Sequence, residues 1–253
     1  MDSFNKVPIL RIRESAAEEV GDFVAVEMKV RISVNGKHAL SLFCSPQMIR
    51  ELVVGIVYNE GLISGGWCAE RLSIEYGDVI HVDIPATGTI AKGERTVTSG
   101  CAVGISLDRK LPGGKISDAS VFRLQDIRGL YRDFQKRSEG YKATGGVHSA
   151  ALADANKTIV FTEDIGRHNA VDKVIGYALL EDIPFHGKIM LASGRLSSEI
   201  VSKCARCGIP VIISRAAPTS LSVEIAGAAD LTLIGFVRGD RMNIYTGRHR
   251  IAL

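Results

Sequence analysis

The sequence predicts a smaller α+β unit over residues 1–115 followed by an α/β unit over residues 116–253. Three observations carry that prediction. Alternating apolar residues interrupted by hairpin turns fill the first part, and strand, polar loop and helix patterns alternate through the second. A stretch rich in glycine and small residues lies between the two.

In the first part, Val24, Val26, Met28, Val30, Ile32 and Val34 alternate with polar or small residues, the period of a half-buried strand. Asn35-Gly36 follows, a type I′ turn signal because both positions need positive φ, and residues 37–43 return as the partner strand. Ser45 can cap a helix whose first position is Pro46, where a missing N–H costs nothing. Met48, Ile49, Leu52, Val53, Ile56 and Val57 give that helix one apolar face, and Gly61 ends it. Residues 71–76 and 79–84 form a second strand pair about Gly77-Asp78. Antiparallel pairing is expected throughout this part.

Residues 98–104 (TSGCAVG) and 112–115 (PGGK) read as loop and linker. A long helix is expected over 118–137, with Ile127, Leu130, Tyr131 and Phe134 inward and Gly140 closing it. Three strand–loop–helix units come next, with strands at 158–161, 188–192 and 211–213 and loops TEDIGRHN, SGRLSS and SRAAPTS. Residues 231–236 and 242–246 finish as strands around Arg238-Gly239-Asp240-Arg241. Such alternation predicts a largely parallel sheet covered by helices on both faces.

Composition narrows the function. Lysine and arginine number 31 against 28 acidic residues, and the resulting formal charge of +3 is too slight to drive binding to nucleic acid polymers or membrane surfaces. Any anion site must therefore be built locally. No run approaches the roughly 18 apolar residues that span a bilayer. The N-terminal residues lack the apolar centre of a secretory signal, so a cytoplasmic location is expected. Thiols stay reduced there, and the 5 cysteines do not read as a disulfide framework.

In a sheet of this kind, loops leaving the carboxyl ends of the strands gather along one edge, and each starts a helix whose free N–H groups favour an anion. All three loops carry an arginine at that point: Arg167, Arg195 and Arg215. Ser193, Ser197, Ser198, Thr219 and Ser220 add hydroxyl donors. Together they suit a phosphate-bearing ligand, although each alone could be a helix cap or a solvated side chain. His148, in TGGVHSAAL, and His168, beside Asp164 and Arg167, can bind a ligand or relay a proton, or can be satisfied structural residues. Cys101 sits between Gly100 and Ala102-Val103-Gly104, where small neighbours leave a thiol accessible; the alternative is a buried small hydrophobe. Cys204 and Cys207 form the only C-x-x-C. They end a helix instead of beginning one and lack two further ligands for zinc, so packing is expected of them, and of Cys44 and Cys68.

Seven segments in order over residues 24–246 then resemble one family closely: LFCSPQMIRELVVGIVYNEGLI, TSGC, TGGVHSAAL, EDIGRHNAVDKVIG, SGRLSSE, SRAAPTSLSVEIA and GFVRGDRMNIYT. The family is the formate dehydrogenase accessory sulfur carriers, FdhD. The resemblance implies a three-layer, cytidine-deaminase-like α/β C-terminal domain without that fold's zinc site. It also implies a cytoplasmic homodimer, a sulfurtransferase-type accessory protein that takes sulfur from a cysteine desulfurase as a persulfide on Cys101. The sulfur then passes to a molybdenum or tungsten bis(molybdopterin guanine dinucleotide) cofactor, bound as a substrate before its insertion into formate dehydrogenase, and no metal is held by protein ligands. Val237, Arg238, Gly239, Asp240, Arg241 and Met242 correspond to the family's cofactor-binding stretch. Gly104 departs from the pattern, because many relatives have a second cysteine there. Cys101 alone must then carry the sulfur, or the chain is a paralogue with reduced or altered activity; the alternative function is a non-covalent guanine-nucleotide or cofactor-binding chaperone without sulfur transfer.

Overall fold

The structure, a computed structural model, describes residues 2–91, 96–97, 105–106 and 114–253. Cys101 and Gly104 lie outside the described residues. The chain opens with an antiparallel hairpin of β1 (Phe4–Arg13) and β2 (Ala16–Ala25) that periodicity does not announce. Its turn uses Glu14 at φ 54° in place of an Asn-Gly pair, and β2 is rich in alanine and acidic residues with low strand propensity. The strand expected from Val24 onward is therefore two elements, since Val24 belongs to β2 and β3 begins only at Met28.

Strands β3 (Met28–Val34) and β4 (Lys37–Cys44) form the expected hairpin, with Asn35 at φ 49° and Gly36 at φ 73°. Helix α1 (Ile49–Glu60) follows, three residues later than the Ser45-Pro46 signal suggests. Ser45 is diverted: its hydroxyl accepts the N–H of Ile165 at 3.2 Å, and its own N–H donates to Asp164 at 3.1 Å. Gly61 ends α1 with φ 52°, as expected. Short β5 (Ile63–Ser64), β6 (Ser73–Glu75), β7 (Val79–Ile84) and β8 (Thr89–Ile90) complete this region. The sheet order is β4-β3-β7-β6, and β3 pairs parallel to β7, so the expectation of wholly antiparallel pairing fails at that one junction. Strands β9 (Thr96–Val97) and β10 (Ile105–Ser106) pair with each other.

The rest runs β11 (Phe122–Arg123), α2 (Leu124–Arg137), α3 (Glu139–Thr144), β12 (His148–Ala153), β13 (Thr158–Asp164), α4 (Arg167–Leu180), β14 (Ile189–Ala192), α5 (Ser198–Cys207), β15 (Val211–Ser214), α6 (Ser220–Ala228), β16 (Thr232–Arg238), β17 (Arg241–Thr246) and β18 (Ile251–Ala252). Helix α2 starts at Leu124, not 118, because β11 pairs there with β18; Gly140 sits inside α3 and does not close α2. The six-stranded sheet has the order β13-β12-β14-β15-β16-β17. Only β14–β15 and β15–β16 are parallel, which corrects the largely parallel sheet. The cause is local: residues 154–157 turn β12 straight back into β13, with Asp154 accepting the N–H groups of Asn156 and Lys157 at 2.9 and 3.0 Å, where a crossover would need a dozen residues.

The result is a mixed α/β fold with six α-helices among the described residues. Ala150, Leu152, Met190, Ile212 and Leu233 face a core shared with α4, α5 and α6. Ala151, Ala153, Leu191, Ile213 and Ile234 face the opposite core, under α2. A third core joins α1 to the four-stranded sheet. Helix α1 is buried nearly all round because it also packs on α4, where Gly55 lies against the backbone of Asp172 and Gly176 against that of Glu51. Any side chain at either glycine would drive the helices apart.

Two buried charge networks cross the same junction. Lys173 meets Asp164 at 2.7 Å with both side chains fully buried, and also donates to the carbonyl of Ser45 at 3.1 Å. Lys203 on α5 meets Asp172 at 2.6 Å and Glu60 at 2.9 Å. Arg250, 1% exposed, fastens the C-terminus by donating to the carbonyls of Asp230 at 2.6 Å and Asp118 at 3.1 Å.

Candidate functional site

The six-stranded sheet brings the carboxyl ends of β13, β14, β15 and β16 and the start of β12 to one edge. His148 opens β12 opposite Asp164, the last residue of β13. Beside it, Ser193 follows β14: its Oγ accepts the N–H of Ser149 at 2.9 Å and lies 3.4 Å from His148 Nδ1. Gly194 comes next. A Cβ there would stand 3.0 Å from the Cβ of Arg167 and 3.4 Å from His148 Nδ1, so the missing side chain lets both groups in.

Arg167 and His168 are the first two residues of α4, set by Gly166, whose N–H donates to Asp164 Oδ1 at 2.8 Å. His168 is 5% exposed. Its Nε2 lies 2.9 Å from Glu199 Oε2 and 3.3 Å from Ser197 Oγ, both at the start of α5. His168 Nδ1 and Glu199 Oε1 are buried with no hydrogen-bond partner among the described residues. The hydrogen bond from His168 holds the Glu199 carboxyl below its ordinary range, against the effect of burial. Two helix N-termini, an imidazole braced by a carboxylate, a second imidazole and an arginine thus share one corner, a donor set suited to an anion.

Burial, reinforced by the charges of Arg167 and His168, pushes the pKa of His148 below its ordinary value, while Asp164 opposes the shift. A histidine with a depressed folded pKa is neutral in the native state near neutrality. The unfolded chain binds the extra proton first, so stability falls as pH drops below the unfolded value of about 6.5 and levels off below the folded one. Thermal melts of His148→Gln between pH 7 and 5 are therefore expected to show a shallower acid decline than the parent; a parallel decline would remove His148 from the acid response.

The other expected site residues are more dispersed. Arg195 is exposed on the loop after β14, and its charge acts on His148, which places it near the corner. Arg215 is exposed one strand farther along, with its N–H donating to Tyr131 Oη at 2.6 Å while that hydroxyl donates to the carbonyl of Ala192 at 3.0 Å. The stretch from Val237 to Met242 lies at the β16–β17 turn. Val237 is buried under α2 and Met242 packs there, while Arg238, Gly239, Asp240 and Arg241 are exposed. The Asp240 carbonyl accepts from Arg128 on α2 at 2.8 Å. Strand β16 is three places from β12, which His148 opens, and the turn lies beyond Ile234, the last β16 residue paired with β15, so it stands well apart from the His148 corner. Thr219 is committed to capping, accepting the N–H of Ser222 at 3.4 Å.

Sequence reasoning missed Glu199, Gly194 and Tyr131. An acidic residue in the first turn of α5 was a visible hint of Glu199, but its partner His168 is a tertiary neighbour. Of the cysteines expected to pack, Cys44 and Cys204 are buried in the cores and Cys207 packs against one, with burial pushing the thiols of Cys44 and Cys207 up to about 12, whereas Cys68 is only half-buried. Among the described residues no group of three or more His, Cys, Asp or Glu could hold a metal ion, and no helix is long and apolar enough to cross a membrane.

Comparison with known proteins gives a consistent set of relatives. The family model described as the FdhD/NarQ family matches residues 25–252. A sulfur carrier protein FdhD of Bacillus pumilus is 37% identical over 91% of this chain and 90% of its own. Its namesake in Listeria innocua is 34% identical over 99% of this chain and the whole of its own, 100%. A crystal structure from Desulfotalea psychrophila, described as a formate dehydrogenase accessory protein, superposes with a TM-score of 0.82 at 27% identity, covering 99% of this chain and 100% of that one.

Proposed function

The chain belongs to the FdhD/NarQ family, and from that premise we propose that it is a sulfur carrier serving formate dehydrogenase maturation. The thiolate of Cys101 attacks the outer sulfur of a persulfide on a cysteine desulfurase. The sulfur–sulfur bond to the desulfurase breaks, its cysteine leaves as a thiolate, and Cys101 now carries the persulfide. The acceptor is a molybdenum or tungsten bis(molybdopterin guanine dinucleotide) cofactor, cargo and not a resident group; delivering the outer sulfur as sulfide breaks the Cys101 S–S bond, takes two electrons from an external thiol reductant and returns Cys101 as the thiolate. The working unit is a cytoplasmic homodimer, and residues 116–253 form a cytidine-deaminase-like domain beside a smaller one over 1–115.

The observation that carries the binding half of this reading is the corner where Arg167, His148 and His168 meet at the starts of α4 and α5. The half-buried His148 and the exposed Arg195 can meet a phosphate of the guanine dinucleotide there, while Glu199 holds the His168 ring in place. Arg195 and Arg215, with the exposed turn at Arg238–Arg241, extend the cationic edge in the direction a dinucleotide would run.

The test is direct. Incubation with a desulfurase and cysteine, followed by intact-mass and peptide mass spectrometry, should show one added sulfur, located on Cys101 and removed by a thiol reductant. Guanine-nucleotide binding without any sulfur uptake would favour the non-covalent chaperone, the reading that Gly104 supports. Sulfur found on Cys68 or Cys207 instead would overturn the assignment to Cys101.

A further inference from the structure

Helix α2 covers the face of the six-stranded sheet opposite α4, α5 and α6, and two of its side chains reach the ligand edge. Tyr131 is the deeper of them, 1% exposed. Its hydroxyl accepts the N–H of Arg215 at 2.6 Å and donates to the carbonyl of Ala192 at 3.0 Å. Those two backbone groups stand where the β14–β15 ladder runs out, since Ala192 and Ser214 are its last pair. The N–H and the carbonyl are joined through one phenolic oxygen that comes from a different element. The roles are forced, because a carbonyl only accepts and a backbone N–H only donates. Burial pushes the pKa of the phenol up against the opposing effect of the Arg215 N–H, so the proton stays on the oxygen.

The hydroxyl holds the two loops that carry Arg195 and Arg215. They are tied into one body: Ser214 Oγ donates to the Gly194 carbonyl at 2.7 Å, the Leu196 N–H to the Ala217 carbonyl at 3.1 Å, and the Thr219 N–H to the Leu196 carbonyl at 3.2 Å. Gly194, in that same body, lies against Arg167 and His148. Three residues before Tyr131, Arg128 donates to the carbonyl of Asp240 at 2.8 Å, so one face of α2 grips both the Arg215 loop and the β16–β17 turn. Removing the hydroxyl leaves the Ala192 carbonyl and the Arg215 N–H without their shared partner. A direct bond between them, at about 2.9 Å, would draw the Arg215 loop in toward β14.

We infer that Tyr131 is a positioning residue for the phosphates of the guanine dinucleotide: its hydroxyl, set between the ends of β14 and β15, fixes where Arg215 stands relative to Arg195. The inference rests on the guanine-dinucleotide reading above and adds a residue that touches no ligand. A side chain this buried acts only through what it holds. Plain structural support would weaken every ligand alike. Positioning confines the loss to the phosphates, because only they meet the two arginines.

The test is calorimetric titration of the full chain with guanosine diphosphate and with guanosine, at a temperature where each variant is folded by circular dichroism. The parent should bind the diphosphate more tightly. Tyr131→Phe keeps the ring and deletes the oxygen; it should weaken the diphosphate about 10-fold and guanosine less than ~2-fold. Arg215→Ala should show the same selectivity, and adding Tyr131→Phe to it should cost less than ~2-fold more, since both act on one contact. Equal losses for the two ligands, no loss at all, or effects of the two substitutions that multiply in full would overturn the role of Tyr131 alone. A parent that binds the diphosphate no better than guanosine would defeat the phosphate reading of this edge, and Tyr131 with it. If the phenylalanine variant unfolds, amide exchange of the parent decides: the Arg215 N–H should be protected, and guanosine diphosphate but not guanosine should slow it a further ~10-fold. An Arg215 amide that exchanges freely, or that ignores the diphosphate, would overturn the inference.

Discussion

Cys101→Ala is expected to lower formate dehydrogenase activity in cells that depend on this chain by at least ~100-fold, with no measurable change in thermal stability. The thiolate is the attacking and carrying species, so the size of the loss depends on whether another thiol can substitute. Cys44 and Cys207, held at about 12, present on the order of 10³-fold less thiolate near pH 7 than a cysteine with an ordinary pKa. Burial pushes Cys204 higher still. Among the described residues Cys68 is half-buried, so Cys68→Ala is the matched control and should leave activity unchanged. With glycine at 104 the sequence offers no second thiol three residues after Cys101 to share the load. The measurement is formate-dependent dye reduction in extracts, paired with guanine-nucleotide titration of the purified variant, which should bind as the parent does. Activity above a tenth of the parent's would end the persulfide reading, whereas loss of nucleotide binding as well would mean that the substitution disturbed more than the thiol.

How much of this could be read from the residues follows from the range of the interactions. Asn35-Gly36, Gly61 and Gly208 mark real boundaries because positive φ is a local demand that only a few residues meet cheaply. The polar, glycine-flanked loops before α4 and α5 were visible for the same reason, and they carry Arg167, His168 and Gly194. Failures came where a distant partner decides. Ser45 has the chemistry of a helix cap, yet Asp164 and the N–H of Ile165, some 120 residues away, claim it. The β12–β13 hairpin looked like a parallel unit because buried strands are apolar on both faces in either direction, so periodicity carries no sign of orientation. The β1–β2 hairpin escaped because apolar residues occupy both its faces, Leu10, Ile12 and Phe23 on one and Val7, Ile9 and Val20 on the other, which breaks the alternation that a one-sided core imposes. Glu199 is charged and near a helix start, an ordinary position until the fold sets it 2.9 Å from His168.

Lys173→Met should destabilise the chain by about 3–5 kcal/mol by denaturant titration, because it strands the Asp164 carboxylate in a fully buried position. Asp164 has other partners: its Oδ1 accepts from Gly166 at 2.8 Å and from Asn169 at 2.9 Å, and its Oδ2 accepts from Ser45 at 3.1 Å. Those neutral donors reduce the cost of the unpaired charge without removing it. Asp164→Asn combined with Lys173→Met removes both charges and keeps an oxygen facing Gly166, so the double variant should recover most of the lost stability, with a coupling of 1 kcal/mol or more. The same carboxylate fixes the first turn of α4, which carries Arg167 and His168. Lys173→Met should therefore weaken guanine-nucleotide binding even at temperatures where it remains folded, and the double variant should restore that binding together with stability. A single variant costing less than about 1 kcal/mol, or a double variant no more stable than the single, would show that the pair is not what locks β4, β13 and α4 together.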